Sequence, residues 1–178
     1  QLPNSVNSIS QDSRKIGKGD VFVAIKGYTV DGHNFIEKVI EQGAALVIAS
    51  RYENYNVENC AVIVIREHEI EKIASMIAKK INEGADIHTV AVTGTNGKTS
   101  ISTLVHNMLR NLGESSAYIG TNGFSKNDDE PIYFGNTTPD VVTLHNQIGE
   151  LRRENIKNLA FEASSHAMAL GRIYNVDI

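Results

Sequence analysis

The chain has 178 residues, 41% of them hydrophobic and 21% charged, and a formal net charge of −4; this is an ordinary globular composition with room for one large domain or two small ones. The acidic balance gives no electrostatic reason to expect a nucleic-acid partner or an anionic membrane, and no apolar run approaches the ~20 residues that cross a bilayer. Gln1 to Ser10 lacks the basic stretch and apolar core of a signal peptide, and the one cysteine, Cys60, forbids an internal disulfide and fits a reducing, cytoplasmic setting.

Taken in chain order, Val21 to Ile25 is a short apolar run closed by Gly27 and reads as a strand. A helix is expected from Asn34 to Gln42, with Gly43 just past its end. Leu46 to Ile48 and Val62 to Ile65 are two more strands, and Cys60 beside the second reads as a buried structural thiol rather than a nucleophile. Ile70, Ile73, Ala74, Ile77 and Ile81 then share one helical stripe, with Lys72, Ser75, Lys79 and Lys80 opposite. Asn82 to Asp86 interrupts the pattern and sets a domain boundary, giving domains 1–84 and 85–178.

The second stretch opens with the strand Thr89 to Thr93 and a Gly-rich turn. A helix follows whose apolar stripe is Ile101, Leu104, Val105, Met108, Leu109 and Leu112, ended by Gly113. Ala117 to Ile119 is a strand, and the polar segment 120–136 is long enough to be a functional loop or to carry a small hairpin. Asp140 can cap a helix carrying Val141, Leu144, His145, Ile148 and Leu151, and Leu159 to Phe161 is the next strand. Strands alternating with helices imply parallel sheets with right-handed crossovers. The expected fold class is therefore α/β: a small N-terminal α/β domain, then a second domain with a mainly parallel sheet, which the loop Gly94-Thr95-Asn96-Gly97-Lys98-Thr99, read below as phosphate-binding, makes a P-loop ATPase domain. That second domain is expected to be truncated, because Val176 to Ile178 reads as a strand and so few strands leave a bare sheet edge. A start at Gln1 rather than methionine likewise points to residues missing at the front.

The sharpest signal is Thr93-Gly94-Thr95-Asn96-Gly97-Lys98-Thr99-Ser100 between a strand and a helix. Glycines let successive N–H groups curl toward phosphate oxygens, and the helix N-terminus adds partial positive charge there. Lys98 can reach the outer phosphates and the Thr99 hydroxyl can ligate Mg²⁺. ATP and Mg²⁺ are the expected cofactors, with Gly94 to Ser100 as the ATP-binding loop; the bland alternative is a plain Gly-rich turn. The general pattern would place a glycine where Val92 stands, so this is the shortened form Gly94-x-x-Gly97-Lys98-Thr99.

That shortened loop resembles the Mur ligase superfamily, and other segments narrow the resemblance. Asp12-Ser13-Arg14, Gly19 to Ala24, Asp31-Gly32-His33 and Gly43-Ala44-Ala45 look like the N-terminal domain of MurE-type ligases. Asn136-Thr137-Thr138-Pro139 and Glu162-Ala163-Ser164-Ser165-His166-Ala167 are similar to two further signatures of that type, so the matches run from Ser10 to Arg172. The resemblance implies an ATP-dependent amide ligase of peptidoglycan precursor synthesis. Its acceptor is UDP-MurNAc-L-Ala-D-Glu, whose γ-carboxylate is phosphorylated and then attacked by meso-diaminopimelate or L-lysine. Such chemistry is mostly positioning and charge stabilisation.

Carried over position by position, the resemblance makes Lys98, Glu162 and His166 catalytic and Thr99, Glu162 and His166 the metal set. Ser13, Tyr28, Thr29 and Val30 then meet the uridine end of the acceptor, and Asn136, Thr137, Thr138, Ser164 and Arg172 its muramoyl-dipeptide end. Leu170 stands where some relatives carry a polar, substrate-contacting residue, and that role is not transferred. Each residue also has a plainer reading. Glu162 can be a strand-end carboxylate and His166 a structural histidine; Asp12-Ser13-Arg14 can be a simple turn. Tyr28 can be an ordinary loop tyrosine, and Thr138-Pro139-Asp140 a good helix start. His33, His68, His88, His106 and His145 read as surface or packing residues. Other readings are a D-glutamate-adding or folylpolyglutamate-type ligase, or a nucleotide and UDP-sugar binding module without turnover. The expected state is a monomer, inactive as this stretch alone, with no nucleic-acid or membrane partner.

Overall fold

The computed structural model describes residues 2–27, 30–52, 55 and 59–178. Two compact units divide the chain, Gln1–Ile81 and Asn82–Ile178. The division falls at Ile81 rather than at residue 84 because Asn82 is buried and tied forward: its side chain donates to Asn146 at 2.8 Å, and its carbonyl accepts from Arg152 at 2.7 Å.

In the first unit β1 (Ile9–Ser10), β2 (Val21–Val23), β3 (Leu46–Ala49) and β4 (Ala61–Val64) form one parallel sheet in chain order. A 3₁₀ turn, Gly32–Phe35, runs into α1 (Ile36–Glu41), and α2 (Ile70–Ile81) follows β4. β2 and β3 are continuous apolar runs, buried along their whole length, as strands of a parallel sheet covered on both faces are. Cys60 joins the core of Phe22, Ile36, Val39 and Val47, and burial pushes its thiol above the ordinary range, which makes it a poor nucleophile. One expectation for α2 fails: Ser75 faces inward with Ile70, Ala74 and Ala78. Its hydroxyl donates to the Lys72 carbonyl at 2.7 Å, which removes the cost of burying it.

The second unit carries β5 (His88–Val92), β6 (Ser116–Gly120), β7 (Gly123–Lys126) and β8 (Asn158–Glu162) in the spatial order β5-β8-β6-β7. The first three in that order are parallel, while β7 returns antiparallel to β6 as a hairpin inside segment 120–136. α3 (Lys98–Asn111) joins β5 to β6, α4 (Val141–Arg153) precedes β8, and α5 (Ser165–Ala169) follows it. Leu144, Ile148 and Leu151 of α4 pack with Ala117, Ile119, Leu159 and Phe161 in one core. The two-residue alternation of strands therefore puts Tyr118, Gly120, Ala160 and Glu162 on the other face of the sheet.

α3 corrects a second expectation. Ile101, Leu104, Met108 and Leu112 are all more than half exposed, and the buried residues are Ser102 and His106. The inward arc is polar because it meets polar partners. The Ser116 hydroxyl donates to Nδ1 of His106 at 3.0 Å, and Nε2 donates to the Asn127 carbonyl at 3.1 Å. Residues 176–178 form no strand; Val176 instead packs against the core under α4. Among the described residues no helix is long and apolar enough to cross a membrane.

Candidate functional site

The phosphate loop leaves β5 after Val92 and exposes residues 93–97 before α3 begins at Lys98. Gly97 holds φ at +81°, a left-handed conformation that costs a side-chain-bearing residue, and it is the residue immediately before α3. Lys98 and Thr99 occupy the first turn, half-buried, and Ser100 is exposed. Nζ of Lys98 donates to the carbonyl of Gly94 at 2.8 Å and reaches that of Thr95 at 3.4 Å, while Asn96 stays exposed.

Glu162 ends β8 directly opposite Val92 in the parallel register, and the following amide, Ala163, donates to the Val92 carbonyl at 2.9 Å. The carboxylate thus roots beside the strand that feeds the phosphate loop, at the ligand-binding edge of a parallel sheet. It is fully buried, at 0% exposure. The Tyr118 hydroxyl donates to its Oε1 at 2.5 Å and the Thr121 amide to the same oxygen at 2.9 Å. Among the described residues Oε2 receives only the Thr121 hydroxyl, at 3.2 Å. Burial, and then the bond to Glu162, push the Tyr118 phenol up to about 12, so it stays a proton donor at neutral pH. A Cβ on Gly120 would run into both Glu162 Oε1 and the Tyr118 hydroxyl, so only glycine lets the two groups meet.

The acceptor-loop residues divide. The Thr138 side chain is buried; its hydroxyl donates to the Glu162 carbonyl at 2.7 Å and accepts from the Ser164 amide at 3.3 Å. Arg172 donates to the Thr138 carbonyl at 2.9 Å. Helix α4 is capped by Asp140, which accepts from the Thr143 amide at 2.9 Å. That leaves exposed Asn136 and half-buried Thr137, whose hydroxyl lies 3.1 Å from that of Thr121. Ser164 caps α5 by accepting from the Ala167 amide at 3.1 Å, and His166 is exposed on that short helix. The structure thus adds Tyr118 and Thr121 to the residues named from sequence. The register that pairs Tyr118 with Ala160 is the signal that places Tyr118 on the Glu162 face.

Among the described residues no group of three or more His, Cys, Asp or Glu could hold a metal ion. Mg²⁺ beside nucleotide phosphates needs only one or two carboxylates, with water and phosphate oxygens completing its shell. A lone carboxylate next to a phosphate loop, with one oxygen lightly engaged, fits that ion.

In the first unit Ser13 is buried in a 3₁₀ turn, Ser13–Lys15, and Asp12 caps it by accepting from the Arg14 amide at 3.0 Å. The Arg14 guanidinium grips the same carboxylate and holds it down at about 2. Val30 is exposed and its carbonyl accepts from the Gly27 amide at 2.9 Å; Tyr28 and Thr29 lie outside the described residues. The histidines are surface or packing residues: His68 and His88 are exposed, and His33, His106 and His145 are buried. His33 bonds Asp31 at 2.7 Å and the Ser50 amide at 3.1 Å, and His145 bonds the Tyr174 carbonyl at 2.9 Å.

Two family profiles together span the same residues. "Mur ligase family, catalytic domain" matches residues 5–94 and "Mur ligase middle domain" matches residues 92–178. The UDP-N-acetylmuramoyl-L-alanyl-D-glutamate–L-lysine ligase of Staphylococcus haemolyticus is 40% identical, across 99% of this chain and 35% of that protein. UDP-N-acetylmuramyl-tripeptide synthetase 2 of Oceanobacillus iheyensis is 36% identical, across 99% and 36%. A solved UDP-N-acetylmuramoyl-L-alanyl-D-glutamate–2,6-diaminopimelate ligase superposes with a TM-score of 0.77 at 26% identity, covering 97% of this chain and 35% of that one. The chain spans about a third of the length of the relatives it matches.

Proposed function

This chain belongs to the Mur ligase family, and from that premise we propose that it supplies the ATP- and acceptor-binding parts of a MurE-type amide ligase. The reaction joins a diamino acid to UDP-MurNAc-L-Ala-D-Glu in the cytoplasm, for peptidoglycan assembly. The observation that carries this reading is the Val92–Glu162 register, which sets the phosphate loop and a buried carboxylate at adjacent strand ends. The names of the staphylococcal relatives favour L-lysine as the diamino acid.

In this reading the amides of residues 94–99 and the start of α3 cradle the phosphates, and Lys98 leaves its carbonyl partners to meet the transferred group. Mg²⁺, which Glu162 and Thr99 would hold with His166 as a further ligand, supplies charge neutralisation on the phosphates. Asn136, Thr137, Ser164 and Arg172 orient the glutamate arm of the acceptor, and Thr138 keeps that loop fixed to the end of β8. Ser13 with residues 28–30 takes the uridine end. The γ-carboxylate displaces ADP from the γ-phosphorus, and the amine then displaces phosphate from the resulting acyl phosphate.

Amide formation by the complete ligase, assayed with ATP, Mg²⁺, UDP-MurNAc-L-Ala-D-Glu and either L-lysine or meso-diaminopimelate, tests the reading. ADP released in step with amide, with L-lysine preferred, supports it. ATP-independent coupling, or activity only on another acceptor, overturns it.

A further inference from the structure

The two oxygens of Glu162 are not equivalent, and the difference comes from residues that neither motif nor family resemblance marks. Oε1 accepts the two short bonds, from the Tyr118 hydroxyl at 2.5 Å and the Thr121 amide at 2.9 Å. Oε2 accepts one long bond, from the Thr121 hydroxyl at 3.2 Å. That hydroxyl has a second partner, Thr137 Oγ1 at 3.1 Å, so it can release Oε2 without becoming unpaired. Both oxygens belong to a carboxylate at 0% exposure, which cannot turn freely, and Gly120 leaves just enough room for the phenol.

We propose that Tyr118 is a positioning residue for the cation: it fixes Oε1 and so presents Oε2 of Glu162 to the metal beside the phosphate loop. The inference rests on the metal role given to Glu162 above. A carboxylate that must bind a cation through one oxygen loses affinity when free to rotate, because each competing orientation must be given up on binding. Partners that orient a ligand commonly matter by about 10–100-fold in metal affinity. The Tyr118 hydroxyl also accepts from the Asn122 amide, at 3.4 Å, but its short bond is the one to Glu162, and its effect on the cation passes through that carboxylate.

The test is a calorimetric titration of AMP-PNP into this chain at a series of Mg²⁺ concentrations, for wild type, Tyr118→Phe, Glu162→Gln and the double variant, with thermal unfolding to verify each fold. Tyr118→Phe is expected to bind AMP-PNP normally without Mg²⁺ and to need about tenfold more Mg²⁺ to reach half its full enhancement. In the Glu162→Gln background the same change should have no further effect, a coupling that a merely structural role would not produce. If Glu162→Gln removes the Mg²⁺ dependence while Tyr118→Phe leaves the half-saturating Mg²⁺ unchanged, the positioning role is wrong and the metal role stands. If Glu162→Gln itself leaves the Mg²⁺ dependence intact, the metal role of Glu162 falls and the positioning role with it. Should Tyr118→Phe fail to fold, Thr121→Val is the second variant. It keeps the amide bond to Oε1 and removes only the exposed hydroxyl on Oε2, so an unchanged Mg²⁺ requirement is expected; a requirement raised tenfold would show that Oε2, not Oε1, is the oxygen being held, and would overturn the proposal.

Discussion

Nζ of Lys98 donates to the carbonyl of Gly94 at 2.8 Å, closing the phosphate loop on its own lysine. The ammonium therefore sits at the loop's mouth, where a phosphate oxygen would compete with a backbone carbonyl for the same donor. A phosphate wins that competition because it adds the attraction of an opposite charge to a bond that the ammonium already makes charge-assisted.

The first prediction concerns that lysine. Lys98→Ala removes both the carbonyl tether and the charge offered to phosphate. Nucleotide affinity of this chain should fall by about 1.5–3 kcal/mol, the worth of a hydrogen bond to a charged group. Turnover of the complete ligase should fall by about 10²–10³-fold, as when a key transition-state donor is lost. Calorimetry and steady-state kinetics check the two arms; near-normal values in both would remove Lys98 from the site.

The second prediction is local to the first unit. Ser13 is buried within a turn that Asp12 already caps, so its hydroxyl is not needed to hold that turn. Ser13→Ala should leave the thermal midpoint almost unchanged and weaken binding of a UDP-linked acceptor by roughly 1 kcal/mol, one hydrogen bond. Equal acceptor affinity in the two proteins would return Ser13 to a purely structural role.

The third prediction is a pH dependence set by His106. Burial, the largest influence, pushes its pKa below the ordinary histidine value, against the opposing pull of the Asn127 carbonyl. The carbonyl can only accept, so Nε2 carries the proton, and Nδ1 accepts from Ser116 in the neutral ring. With the folded pKa depressed, the unfolded chain binds more protons over the interval between the two values. This contribution is fully present above the unfolded value of about 6.5 and is lost as pH falls through the folded value. Urea unfolding of the second unit should lose stability on going from pH 8 to pH 5. His106→Gln should flatten that slope, while a slope unchanged by the substitution would assign it to other groups.

How far the sequence alone reached follows from which forces it records. Strands such as β2 and β3 were legible because both faces of a parallel sheet are apolar and these two are unbroken runs of Val, Phe, Ile, Leu and Ala, whereas the two-residue β1 was too short to read and residues 176–178, read as a strand, form none. The loop from Gly94 to Thr99 was legible because phosphate binding demands glycine, lysine and a hydroxyl at fixed spacing. The inward arc of α3 was not, since periodicity counts apolar residues and cannot foresee that Ser102 would satisfy its hydroxyl on the Lys98 carbonyl of its own helix, or that His106 would find Ser116 and Asn127 outside it. Tyr118 and Thr121 were missed for a related reason. Strand register brings Tyr118 to Glu162, and the turn after β6 brings Thr121 there, from 44 and 41 residues away, and local pattern carries no record of either. Ser75 shows the same on a small scale, buried because one backbone carbonyl lies within its reach.

The last prediction joins the fold to the chemistry at Glu162. Glu162→Gln replaces a carboxylate by an amide of nearly the same shape, and the surroundings dictate how that amide sits. The Tyr118 hydroxyl and the Thr121 amide both donate to Oε1, so the amide oxygen must take that place. The NH₂ group then lies where Oε2 was, facing the Thr121 hydroxyl, which can accept as well as donate. Every buried polar atom keeps a partner, so the variant should fold, with a loss in stability of no more than about 1 kcal/mol. What it cannot do is offer an anionic oxygen to a cation. In the complete ligase, ATP-dependent amide formation should therefore collapse while the protein remains folded and binds metal-free nucleotide as before. Raising Mg²⁺ should restore part of the activity, because the loss is one of metal affinity. Normal turnover of Glu162→Gln at low Mg²⁺ would reduce Glu162 to the buried anchor of Tyr118 and Thr121, and would leave His166 without a carboxylate to share a metal with.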